Sequence, residues 1–145
     1  MTIIRKIGVG MASVALLISA TGPANAATAG AESATARPRC AATAPKKITT
    51  GSTAWVPAAK TRGSIDCWLA YDLAGYNSAT YRLQESLKAA EGKAITVDGC
   101  FGQATKTAVL QVQARYGLIQ DGIYGPSTGG AMKWRGSNGS IGKWL

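Results

Sequence analysis

The chain has 145 residues, with 16 Lys and Arg against 7 Asp and Glu and a formal net charge of +9. It contains no histidine, which removes serine–histidine–aspartate and cysteine–histidine nucleophilic arrangements along with histidine-bearing zinc sites. Its three cysteines form no Cys-x-x-Cys pattern, so no metal and no other cofactor is expected.

At the N-terminus, Arg5 and Lys6 precede an apolar stretch from Ile7 to Ala20, and Ala24-Asn25-Ala26 follows the small-x-small rule for signal cleavage. The stretch is shorter than the roughly 20 residues a membrane span needs, so a signal peptide over 1–26 is expected, with no membrane insertion after cleavage. Loss of Arg5 and Lys6 would leave 14 basic against 7 acidic residues, a charge of +7 that attracts anionic partners. The basic residues are dispersed singly or in pairs, as at Lys46-Lys47, which describes a solvated surface. No basic helix or aromatic stacking strand is evident, so nucleic acid is not an expected partner.

Residues 27–64 read as a low-complexity, irregular arm. Ala27 to Pro45 offers few large apolar side chains, and Ile48 to Pro57 could form a short β-hairpin turning at Gly51-Ser52. An exported chain with three cysteines invites one disulfide. Cys40 lies where no core needs it, so Cys40–Cys67 is the leading pair, with Cys67–Cys100 as the alternative.

A compact domain is expected over 65–135. Its first helix opens at Asn77 or Ser78, either a good N-cap, carries Thr80, Leu83, Leu87 and Ala90 on one face, and ends at Gly92. The second carries the stripe Ala104, Ala108, Val112, Tyr116, thickened by Val109, and ends at Gly117. A third, short helix follows Gly125 with Pro126 at its first position, weakened by Gly129 and Gly130. Beyond it, 136–145 reads as a Gly-rich tail in loop conformation.

The helices are separated by a phrase that occurs twice. Asp98-Gly99-Cys100-Phe101-Gly102-Gln103-Ala104-Thr105 returns 23 residues later as Asp121-Gly122-Ile123-Tyr124-Gly125-Pro126-Ser127-Thr128. Ile95 answers to Leu118, Ala108 to Ala131 and Val109 to Met132. Each aspartate can accept backbone N–H groups in a turn, each following glycine can take positive φ, and Phe101 and Tyr124 can anchor in a core. Asp98, Gly99, Phe101, Gly102, Asp121, Gly122 and Gly125 are therefore expected to build structural loops. Cys100 fills the slot of Ile123, which suits a buried thiol left out of the disulfide.

With Leu83-Gln84, Leu87, Val112-Gln113 and Gly117-Leu118 at their offsets, these residues resemble the peptidoglycan-binding-like domain family. The likeness covers roughly 67–134 and departs at Thr80 and Cys100, where the family usually has aliphatic residues. It implies a mainly α fold, a small three-helix module with D-G-x-[FY]-G loops, of the kind attached to bacterial amidases and carboxypeptidases. The setting is similar to that of small secreted actinobacterial proteins.

The resemblance implies a partner, peptidoglycan or another anionic wall polymer, and a groove near the repeated loops. Candidate ligand contacts are Gln84, Thr105, Gln113, Tyr116, Tyr124 and Thr128. Each also has a structural alternative: the glutamines could bond within the fold, and the tyrosines could be core aromatics with a wet hydroxyl. Trp134 and Trp144 could stack on sugars, or Trp134 could cover the core end. No catalytic residue is expected; Glu85 and Glu91, beside Arg82 and Lys88, read as a solvated helix face. The chain is expected to be a secreted or wall-associated, non-catalytic monomer. The alternative is a secreted factor that contacts another extracellular protein through the same scaffold.

Overall fold

The computed structural model describes residues 37–72 and 74–145. The signal peptide expected at 1–26 and residues 27–36 of the expected arm lie outside them.

The described chain runs β1 (Cys40–Lys47), β2 (Thr53–Ala59), α1 (Ser78–Ala89), α2 (Gln103–Arg115), α3 (Pro126–Ala131), β3 (Trp134–Arg135) and β4 (Ile141–Gly142). Helix boundaries follow local chemistry. Asn77 accepts the Ala79 N–H at 2.8 Å and caps α1. After α2, Gly117 turns at φ +66°, and the Leu118 N–H returns to the Gln113 carbonyl at 2.8 Å. Pro126 opens α3, where an N–H would have no helical partner.

The expected three helices are present, but the description mainly α is too coarse. Helices of 12, 13 and 6 residues share the fold with paired strands of 8 and 7. The hairpin is also longer than the Ile48–Pro57 segment expected. It pairs from Cys40↔Ala59 to Lys47↔Thr53 and turns through Gly51 at φ +80°. Small residues serve in the core here because α1 lies across both strands. Ala54, Val56 and Ala58 are fully buried, and their short side chains permit that close approach.

The tail also departs from expectation. Trp134–Arg135 pairs with Ile141–Gly142, forming a ribbon instead of a loop. The ribbon is laced to the hairpin: Ser137 N–H donates to the Thr53 carbonyl at 2.8 Å, Thr49 N–H to Lys143 at 2.9 Å and Leu145 N–H to Lys47 at 3.1 Å. One apolar cluster joins Ile48 and Val56 of the hairpin region, Leu83 and Leu87 of α1, Val109 and Val112 of α2, and Trp134 of the ribbon. Arm, helical domain and tail thus share a single core. Within α2, Ala108, Val109 and Val112 face that core while Ala104 is exposed.

Cys40 and Cys67 are disulfide-bonded and fully buried, and Cys100 is free. The bond ties the start of β1 to a segment that reaches both repeated loops. Leu69 exchanges two backbone hydrogen bonds with Tyr124, at 2.8 and 2.9 Å, and Asp72 N–H donates to the Phe101 carbonyl at 3.0 Å. Cys100 is half-buried, not enclosed as expected, because its side chain stays near the loop backbone, 3.9 Å from the Asp98 carbonyl.

Candidate functional site

The two repeated loops are wired alike, each by a glutamine from the helix before it. In the first loop, Asp98 Oδ1 accepts the Cys100 N–H at 2.8 Å and Gly99 takes φ +76°. Gln84 Oε1 accepts from Gly99 N–H at 2.8 Å and Asp98 N–H at 3.0 Å. Its Nε2 lies 3.0 Å from Asp98 Oδ1, 3.0 Å from the Cys100 carbonyl and 2.9 Å from Thr105 Oγ1.

The second loop repeats this geometry. Asp121 Oδ1 accepts the Ile123 N–H at 2.8 Å, and Gly122 takes φ +71°. Gln113 Oε1 accepts from Gly122 N–H at 3.0 Å. Its Nε2 reaches Asp121 Oδ1 at 2.8 Å, the Ile123 carbonyl at 2.9 Å and Thr128 Oγ1 at 3.3 Å. Each threonine sits in the first turn of the following helix, so each glutamine ties together three successive pieces of chain. Phe101 and Tyr124 are both buried as loop anchors.

This wiring corrects the expected ligand contacts. Gln84 and Gln113 are each 1% exposed, and Thr105, Thr128 and Tyr124 are likewise enclosed. Buried amides with every polar atom engaged cannot meet a ligand without opening the loops they hold. Trp134 is fully buried, and its indole stacks on Trp144 at 5.6 Å, so this pair closes the core end instead of offering a sugar platform.

Tyr116 alone of the six is partly exposed, and it belongs to an ionic cluster that sequence patterning missed. Glu91, expected on a solvated face, is 3% exposed. Its carboxylate accepts from Arg115 Nη1 at 2.9 Å, the Tyr116 hydroxyl at 2.8 Å and the Lys133 N–H at 2.7 Å. It lies past the end of α1, where helical periodicity no longer says which way a side chain points. Burial, and then the hydrogen bond to Glu91, push the Tyr116 hydroxyl above its ordinary pKa. Lys143 Nζ stands 4.7 Å over the Tyr116 ring, tying the C-terminal ribbon to the same cluster.

What remains open for recognition is concave surface elsewhere. A groove of about 370 Å³ runs between the 92–95 segment and α2, with Lys93, Gln103, Thr107 and Gln111 on its walls and Ile95 and Ala108 among its apolar lining. It presents amide, hydroxyl and ammonium groups and adjoins the first turn of α2, which the first loop sets in place. A second groove, of about 220 Å³, lies where the hairpin, α1 and the C-terminal ribbon meet. Among the described residues, no group of three or more Cys, Asp or Glu is placed to hold a metal ion, and no helix is long and apolar enough to cross a membrane.

Residues 76–132, from the residue before the α1 cap to the end of α3, match the family model of the peptidoglycan binding domain. The chain carries a domain of that family. A stretch of 37 residues is 54% identical to the zinc D-Ala-D-Ala carboxypeptidase of Streptomyces albus G, covering 26% of this chain and 14% of that enzyme. The chain therefore corresponds to a small part of the enzyme's length. A crystal structure of a peptidoglycan-binding protein from Clostridioides difficile, in complex with glutamine hydroxamate, is similar with a TM-score of 0.44 and 22% identity. That match covers 59% of this chain and 53% of the other. The peptidoglycan-binding domain includes both wired loops and the whole 370 Å³ groove. The hairpin and the C-terminal ribbon fall outside the matched segment although they complete its core.

Proposed function

We propose that this is an exported, non-catalytic protein that holds cell-wall peptidoglycan through its peptidoglycan-binding domain, using the groove beside α2. The observation that carries the reading is that this groove lies wholly inside the matched segment. Peptidoglycan presents N-acetyl amides, hydroxyls and carboxylates, which suit the Gln103 and Gln111 amides, the Thr107 hydroxyl and the Lys93 ammonium. The absence of histidine supports a binding role over hydrolysis by a histidine-dependent site. The disulfide is consistent with an oxidising, extracellular or wall-associated setting.

The test is co-sedimentation with insoluble peptidoglycan stripped of teichoic acids, at about 0.15 M salt, where the Debye length falls to about 8 Å. The protein should pellet, and a Gln103→Ala/Gln111→Ala variant, altered only at exposed positions, should pellet several-fold less. Retention of the unaltered protein in the supernatant would overturn the reading. Binding that needs teichoic acid would reduce the interaction to charge attraction and equally refute it.

A further inference from the structure

The second groove joins features the fold does not otherwise use. Trp55 lies on β2 between buried Ala54 and Val56, yet its own side chain points outward and is 45% exposed. Arg135 is exposed on β3. Its backbone N–H donates to Ser86 Oγ at 3.3 Å, but its guanidinium has no hydrogen bond or ion pair within the described residues. Both line the 220 Å³ groove, together with the Arg82–Glu85 pair, bonded at 2.7 Å, and Ser137.

Two surroundings hold these groups in place. Gly136 passes so close to the hairpin turn that a Cβ there would stand 2.6 Å from Ser52 Oγ, which sets Arg135 and Ser137 firmly beside Trp55. Arg82 is engaged by Glu85 and lies 5.9 Å from the Tyr81 ring centroid, so Arg135 is the cation left for a ligand. A single exposed tryptophan is ordinary on a protein surface. An indole face, an unengaged guanidinium fork, a carboxylate and a hydroxyl in one concavity make a composite with a definite complement.

We infer that this groove is a second, independent subsite that takes a carboxylate-bearing N-acetylated hexosamine. The C–H face of the pyranose ring lies on Trp55. The carboxylate meets the Arg135 guanidinium, whose paired donors match its geometry. Glu85 accepts from a sugar hydroxyl or the acetamido N–H, and Ser137 bonds the ring substituents. The volume suits one sugar residue, being below the roughly 300 Å³ at which larger ligand pockets begin. The inference rests on the wall-binding reading but uses different residues, three of them outside the peptidoglycan-binding segment.

The experiment is an NMR titration of the full chain with two soluble probes, N-acetylmuramic acid and N-acetylglucosamine, which lacks the carboxylate. The Trp55 indole N–H signal should shift saturably with both, with the acidic sugar about tenfold tighter, as one charge-assisted contact implies. Arg135→Gln should abolish that preference, bringing the two sugars to the same affinity. Trp55→Ala should weaken both sugars, read at the Gly136 and Ser137 backbone amides. An unmoved Trp55 signal, equal binding of the two sugars, or a preference that survives Arg135→Gln would each overturn the subsite. Pelleting with stripped wall tests the other reading separately. If the unaltered chain pellets while the Trp55 signal stays still, this subsite falls and the α2 groove stands.

Discussion

The indole of Trp144 lies so close over Gly129 that a Cβ at residue 129 would stand 2.4 Å from Trp144 Cη2 and 2.7 Å from the Tyr124 hydroxyl oxygen. The glycine that seemed only to weaken α3 makes room for the C-terminal tryptophan. The next glycine does not: a Cβ on Gly130 would meet Trp144 at an ordinary 3.9 Å.

Gly129→Ala and Gly130→Ala should therefore change stability in opposite directions. Alanine at 130 relieves a helix penalty and should stabilise by about 1 kcal/mol. Alanine at 129 carries the same propensity gain but displaces the indole, with a net loss of up to about 2 kcal/mol after a typical overpacking cost. Urea midpoints of the two variants check this, and equal shifts would refute the role given to Gly129.

Removing either loop glutamine should cost the protein heavily. Gln84→Leu strands the Gly99 N–H and leaves the Cys100 carbonyl without its amide donor, so about 3 kcal/mol should be lost; Gln113→Leu should lose a similar amount. Gln84→Glu gives a sharper test. An ionised carboxylate cannot donate to Asp98, and its deficit relative to wild type should shrink as pH falls and it takes up a proton. Chemical denaturation at pH 7 and pH 4.5 measures that difference.

Stability should fall at both extremes of pH. The N–H of Cys100 and then the Gln84 amide hold the Asp98 carboxyl below its ordinary pKa; Arg39 and then the Ala74 N–H do the same for Asp72. A depressed folded pKa contributes stability that is complete above the unfolded value of about 3.9 and disappears as pH drops through the folded value. Tyr116 acts in the opposite sense. Its raised folded pKa contributes below the unfolded value of about 10 and is lost as pH rises through the folded one. Melting temperature against pH should thus show an acid limb shallower in Asp98→Asn and an alkaline limb shallower in Tyr116→Phe.

Reduction of Cys40–Cys67 should destabilise the protein by about 3–4 kcal/mol on the loop-entropy account, for a sequence separation of 27. Cys40→Ser/Cys67→Ser should show the same loss without reductant. Thiol titration of the native protein should find one reactive group, Cys100, and a count of three would contradict the pairing.

Much of the helical part was legible in the chain because its signals are local. Asn77, Gly117 and Pro126 act within one helical turn of themselves, and each Asp-Gly pair shapes a turn of its own backbone. The wiring behind the candidate site was far less legible. Gln84 and Thr105 look like polar surface in a one-dimensional pattern. They are buried because a turn returning 14 residues after Gln84 needs donors and acceptors that water cannot supply there.

The module is written in local signals: the doubled loop, the starts of the three helices and the ends of the first two follow from short-range backbone demands, whereas the residues alone left Cys67–Cys100 open beside Cys40–Cys67. The folded chain settled the rest: Cys40 pairs with Cys67, the arm and tail belong to the core, Glu91 is buried, and Trp55 and Arg135 share a groove. Those outcomes depend on contacts between distant segments, such as Thr50 with Ser140 and Thr49 with Lys143. Local propensity carries no record of which distant surface will arrive to cover a side chain.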